Sequence, residues 1–286
     1  MNPKISLAVG IVCIAFSPIF VKLAGASPVS ASFYRLFFGW LLLAPYCIIT
    51  RKLKIDRRAL IITLTGGVIF ALDIYIWNIS LQTIAATTST LLGNLTPIWV
   101  GLLSLALFKR TPGKLFWIGT TVAILGMIVL IGYENIVRLQ FSIGMLLAAL
   151  SSMFYAVFIL VTKNVLKTIS TQTFMFYNMI GSCLFLLLIA LMGHDNMVSF
   201  SIRTWLCFFG MGLVCQLTGW LSINRALRFL EPTKVSLALL SVTAVAGGLA
   251  ALFLNEKLAF NEVLGSVIVL GGIAITFLKH NQTNNL

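Results

Sequence analysis

The chain has 286 residues, 59% of them apolar and 9% charged, with a mean hydropathy of +1.04. A soluble domain usually carries about 45–50% apolar and about 25% charged residues, so a water-soluble fold is excluded. The net charge of +13 would suggest nucleic acid in a soluble protein, but here the cations sit between apolar blocks and report membrane topology; a lipid bilayer, with no nucleic acid, is the expected partner.

A membrane-crossing helix needs about 20 mostly apolar residues. Ten blocks qualify: 5–24, 30–50, 60–80, 85–107, 115–133, 142–162, 170–191, 203–223, 234–254 and 262–279. The breaks between them are too short for a soluble domain, so the expectation is one all-α bundle with ten transmembrane helices. In the first block, Lys4 and the Ala24-Gly25-Ala26 triplet resemble a cleaved signal. Its apolar run is longer than the usual signal core of about 7–15 residues, so the block reads as a retained helix.

Arg35 lies inside the second span and reads as a side chain snorkelling to the interface, with a carboxylate clamp or an ion pair to Asp73 as the alternative. Tyr34 reads as interfacial aromatic belt. In the third span, Asp73 is the only acid well inside a block. An Asp at that depth costs about 2.5–3.5 kcal/mol on insertion scales and usually faces the bundle interior or a cavity. Asp73 shares a helix face with Phe70 and Trp77. It reads as a cavity-facing acid that binds a substrate ammonium or carries a coupling proton, ahead of a structural acid bonded to a neighbouring helix.

The fourth span holds Thr87, Thr88, Ser89, Thr90, Gly93, Asn94, Thr96 and Pro97. Such small residues let helices approach closely. Pro97 removes a hydrogen bond to the Gly93 carbonyl and kinks the helix, which makes nearby Asn94 a candidate site residue. Further along, Tyr155, Tyr177 and Asn178 are polar-tipped residues at membrane depth. Gln216, Trp220 and Asn224 stand at i, i+4 and i+8, one stripe of an α-helix. Ser241 and Thr243 are weaker candidates, and Gly247-Gly248 and Gly271-Gly272 read as close helix contacts ahead of hinges. The five cysteines lie in apolar blocks without a CxxC pair and read as small hydrophobes. His194 and His280 lie in connecting or terminal segments, so neither a metal site nor a cofactor is expected. No GxxxxGK[ST], HExxH or GxSxG motif is present, which argues against an enzyme and against an ATP-driven pump.

With the N-terminus placed inside, fifteen Lys and Arg residues fall on the inner side, four on the outer side, and Arg35 within a span. This asymmetry over short breaks places both termini in the cytoplasm. The two halves also resemble each other. With offsets of 146–147, Asn78 aligns with Asn224, Ser89 with Ser236, Thr96 with Thr243, Gly119 with Gly265 and Gly126 with Gly272. The expected units are 1–135 and 140–280. Five helices per unit is an odd number, so the second unit enters the membrane inverted relative to the first.

The stretches 77–101, WNISLQTIAATTSTLLGNLTPIWVG, and 224–257, NRALRFLEPTKVSLALLSVTAVAGGLAALFLNEK, resemble the EamA-type transporters of the drug/metabolite transporter superfamily. Pro97, Glu256 and the opening Lys22, Pro28 and Arg35 fit that family's pattern. The sequence departs from it where Ala244 replaces a Pro, which weakens the expectation of a symmetric kink, and where Lys109 replaces a Glu. The resemblance implies two inverted repeats, transport of a small polar or amphipathic solute, and a central cavity lined by the first span and its counterpart, the sixth, which strengthens Tyr155. The resulting expectation is a secondary transporter of the inner membrane working by alternating access, with export of an amino-acid-like metabolite favoured and protons as the candidate coupling ion. Its substrate-binding candidates are Asp73, Trp77, Asn94, Tyr155, Gln216 and Trp220. The alternative is an uptake carrier or exchanger for a nucleotide-like or cofactor-like solute.

Overall fold

The computed structural model describes residues 2–84, 89, 92–108, 112–131, 142–254 and 260–277. Every regular element among them is helical, and helices stand at all ten expected positions. We number them α1 (Pro3–Ala24), α2 (Pro28–Ile49), α3 (Arg57–Thr83), α4 (Thr96–Phe108), α5 (Lys114–Ile131), α6 (Ile143–Thr168), α7 (Thr171–Met192), α8 (Ile202–Phe229), α9 (Pro232–Ala238 and Ser241–Leu254) and α10 (Phe260–Phe277). Six of them, α1, α2, α3, α6, α7 and α8, are long and apolar enough to cross a membrane. The chain is a multi-pass membrane protein. Thr87, Thr88 and Thr90 of the expected fourth span lie outside the described residues.

Helix starts follow local chemistry. The side chains of Ser27, Asp56, Ser170 and Ser201 cap α2, α3, α7 and α8 by accepting from backbone N–H groups three residues on. Helices α3, α6 and α8 outrun their apolar blocks, because a helix continues into polar sequence until its hydrogen bonds run out. Residues Lys163, Lys167, Arg225 and Arg228 sit on such extensions.

Packing relies on glycine, as it must where lipid gives helices no hydrophobic drive to associate. Helices α5 and α10 meet through paired glycines. A Cβ on Gly126 would lie 2.6 Å from the Val269 nitrogen, and one on Gly272 would lie 2.6 Å from the Ala123 nitrogen and 2.7 Å from the Gly119 oxygen. Helix α3 meets α7 with Gly67 against the Asn178 backbone and Gly181 against that of Leu64. Helix α8 meets α2 with Gly212 against Phe38 and Gly39. The contacts thus come in pairs: α3 with α7 and α8 with α2, α4 with α6 and α9 with α1. The main core, with fully buried Phe70, Phe158 and Phe174, lies where α3, α6 and α7 converge.

Among the described residues, four helices depart from regular α geometry. Helix α1 breaks at Phe16, just ahead of Pro18. A turn at Asn94-Leu95 precedes α4, and the Thr96 hydroxyl takes up the Gly93 carbonyl, which Pro97 deprives of its usual partner, at 3.4 Å. Helix α9 breaks at Leu239-Leu240 although Ala244 stands in place of Pro, so the weakened expectation of a symmetric kink is corrected. There, N–H groups of Leu240, Val242 and Thr243 reach back only three residues, and the Ser241 hydroxyl bonds the Ala238 carbonyl at 2.6 Å. A side-chain hydroxyl and tightened turns satisfy the backbone where proline is missing. In α8, residues Met211–Trp220 form a π-helix.

Candidate functional site

The three breaks and the end of the π segment converge on one cavity of about 120 Å³. Helix α1 supplies Ile14, Ser17 and Pro18 at its break, and α2 supplies Arg35. Helix α3 contributes Asp73, Ile74 and Trp77, and the α4 turn contributes Gly93, Asn94 and Thr96. Helix α6 adds Ser151 and Tyr155, α8 adds Trp220, and the α9 region adds Ser236, Leu239 and Val242. Irregular backbone at membrane depth is tolerated where it is enclosed by protein or lines a polar cavity.

The walls are aromatic. The Trp220 ring lies edge-on to Phe70 at 4.7 Å and to Tyr155 at 5.3 Å between centroids. Gly93 leaves room for Trp77, whose ring would come within 3.2 Å of a Cβ there. Asn94 donates to the Thr243 hydroxyl at 2.8 Å, tying the α4 turn to α9.

The polar groups are of both signs. Arg35 is 3% exposed, and its Nη1 donates to the Ser17 hydroxyl at 2.8 Å. It therefore turns inward, and the snorkelling reading is corrected. The physical reason is the α1 break, which presents Ser17 as a partner at the cavity wall. Ser151 lines the cavity together with Asp73. Asp73 and Arg35 do not meet within 4.0 Å; among the described residues the ion pair formed is Lys234 with Glu231. Among the described residues, three donors of the lining side chains have no hydrogen-bond partner: Arg35 Nε, the Tyr155 hydroxyl and Trp220 Nε1. A buried donor without a partner costs about 1–3 kcal/mol, which a ligand's acceptor can offset.

Five of the six candidates, Asp73, Trp77, Asn94, Tyr155 and Trp220, thus line the same cavity. Gln216 does not. It is fully buried against Gly39 of α2, and neither end of its amide has a hydrogen-bond partner among the described residues. The stripe that joined it to Trp220 assumed α-helical spacing. A π turn closes on i+5 and holds more residues than an α turn, so side-chain directions counted along an α-helix do not carry through it. Asn224, beyond the π segment, bonds the Trp220 carbonyl and the Met175 sulfur. Sequence reasoning passed over Ser17-Pro18, although a Pro-interrupted apolar block is a pointer to a transporter site. Ser151 carried no signal of its own.

A model of the EamA-like transporter family matches residues 4–132 and, again, 142–278. The chain belongs to that family. It is therefore a transporter of the drug/metabolite transporter superfamily and not an enzyme. This EamA-family chain is similar to the uncharacterized transporter YdfC of Bacillus subtilis, with 25% identity across 98% of this chain and 92% of the relative. An uncharacterized transporter of Archaeoglobus fulgidus is 23% identical across 91% of this chain and 90% of its own. A solved crystal structure superposes with a TM-score of 0.80 at 13% identity, covering 96% of each chain, a likeness of fold alone.

Proposed function

We propose that this EamA-family chain is a secondary active transporter that exports a small amino-acid-like metabolite across the inner membrane by alternating access. One observation carries the reading: Asp73 and Arg35 line the same small cavity without pairing to each other. A zwitterion fits such a site. Its ammonium meets the Asp73 carboxylate, and its carboxylate meets Arg35 with the unpartnered Tyr155 and Trp220 donors. At about 120 Å³ the cavity is smaller than the roughly 300–1,000 Å³ of drug-sized sites, which favours a small solute. Units 1–135 and 140–280 act as inverted halves in this reading, with ten crossings and both termini cytoplasmic. The paired helix contacts and the two family matches support it. Inverted repeats make inward- and outward-open states near mirror images, close in energy. Asp73, an acid lining the cavity, takes the coupling proton only when the ammonium has left, so proton and solute exchange at one group.

The test is thermal stabilisation of the purified protein against amino acids, nucleotides and vitamins. A ligand at 100 times its Kd adds about 2.7 kcal/mol. An amino-acid shift that disappears in Asp73→Asn supports the reading. A shift given by nucleotides and not by amino acids replaces it with an uptake or exchange carrier. Counterflow in oriented vesicles then reads the direction, and transport by Asp73→Asn with its pH dependence intact removes Asp73 from proton coupling.

A further inference from the structure

A second, larger cavity of about 510 Å³ lies between α4, α6, the end of α8 and the start of α9. It sits about two turns along α6 from Tyr155, at Lys163. The buried apolar contact of Val100, Ala156 and Leu160 stands between it and the central cavity.

Its charge is unbalanced. Among the described residues, Lys163, Lys167 and Arg228 line it against one acid, Glu231, whose carboxylate is held by Lys234 at 3.3 Å. None of the three cations has a carboxylate within 4.0 Å among the described residues. The Lys163 ammonium donates to the carbonyls of Leu227 and Leu230 at the end of α8. Those neutral acceptors fix its position, and Glu231 acts on its charge only from beyond 4.0 Å. The Arg228 guanidinium lies 5.7 Å from the Phe229 ring centroid, and Phe229 is 61% exposed. An exposed aromatic beside a basic cleft at the end of a helix bundle is an arrangement suited to the membrane interface.

We propose that this cavity binds a phosphate-type anion, supplied by the headgroup of an anionic lipid or by soluble phosphate. Arg228 offers the planar fork that matches a phosphate, while Lys163 and Lys167 act as point charges. Basic pockets between membrane helices are the kind of site that holds anionic headgroups. The proposal is independent of which solute the central cavity carries.

The experiment compares the full-length wild type with a Lys167→Gln/Arg228→Gln double variant; Lys163 is left intact because it caps α8. Melting temperatures are read in nanodiscs of phosphatidylcholine alone and with phosphatidylglycerol, and in neutral detergent with sodium phosphate against sodium chloride of equal ionic strength. The wild type should be stabilised by at least one of the two probes, and the double variant should need about tenfold more of it. Stabilisation by phosphatidylglycerol alone assigns the lipid headgroup, and stabilisation by phosphate alone assigns the soluble anion. Asp73→Asn should respond as the wild type does. No anion-dependent shift in the wild type, or an equal shift in the double variant, overturns the proposal.

Discussion

At the scale of single residues, the three unpartnered donors of the central cavity separate binding from folding. Trp220→Phe and Tyr155→Phe each remove one N–H or O–H and keep an aromatic ring in the stack with Phe70 and Phe158. In Tyr155→Phe the deleted hydroxyl has no hydrogen-bond partner among the described residues to abandon, so thermal stability without solute should stay level or rise. Trp220→Phe also loses the second ring of a buried indole and should lose some stability. Solute affinity should fall by about 1–3 kcal/mol, or roughly 5- to 150-fold, if the solute fills that donor. Trp220→Ala behaves differently. It empties a buried aromatic site and should cost about 3–5 kcal/mol of stability as well, which makes it the poorer probe. Calorimetric binding and melting curves on the same samples distinguish the two effects. Unchanged affinity in both Phe variants would take Trp220 and Tyr155 out of solute recognition.

Among elements, close approach and irregular backbone do most of the shaping, and they differ in how far sequence exposes them. The helix positions were legible, because an apolar block bounded by polar residues has few other solutions in lipid. Asp73 and Trp77 were legible for a related reason: α3 is a regular helix at that point, so spacing predicts a shared face. Gln216 was not, because the π turn that rotates it onto Gly39 depends on tertiary contacts that α-helical spacing ignores. Arg35 needed the break in α1 to be seen first. Glycines show the same divide. The pair Gly271-Gly272 looks uniform in sequence, yet a Cβ on Gly271 meets nothing within 4 Å, while one on Gly272 would press into the α5 backbone. Gly272→Ala should destabilise the α5–α10 pair by about 1–3 kcal/mol. Gly271→Ala should be neutral or slightly stabilising, since alanine is the better helix former by about 1 kcal/mol. Melting temperatures in detergent check both, and equal behaviour would mean that α5 and α10 do not pack through this face.

For the whole molecule, the proposed alternating access rests on the proposed inversion of the two halves, and the loops put that inversion to the test. The loop after α2 and the loop after α7 hold equivalent places in the two halves. The first carries Arg51, Lys52 and Lys54; residues 193–201 of the second carry no cation and include Asp195. Opposite charge character at equivalent positions is what the positive-inside rule demands of an inverted repeat, and what a parallel repeat would not produce. Lys54 is exposed in the first loop, and Val198 is 79% exposed in the second. Among the native cysteines, Cys47, Cys207 and Cys215 are buried and Cys13 and Cys183 half-buried, so an aqueous thiol reagent should react mainly at an introduced loop site. In intact cells, Val198→Cys should be labelled by a membrane-impermeant maleimide at once. Lys54→Cys should react only after the membrane is permeabilised. Labelling of both from the same face would place the halves in parallel and would remove the near-degeneracy of inward- and outward-open states on which the proposed transport cycle rests.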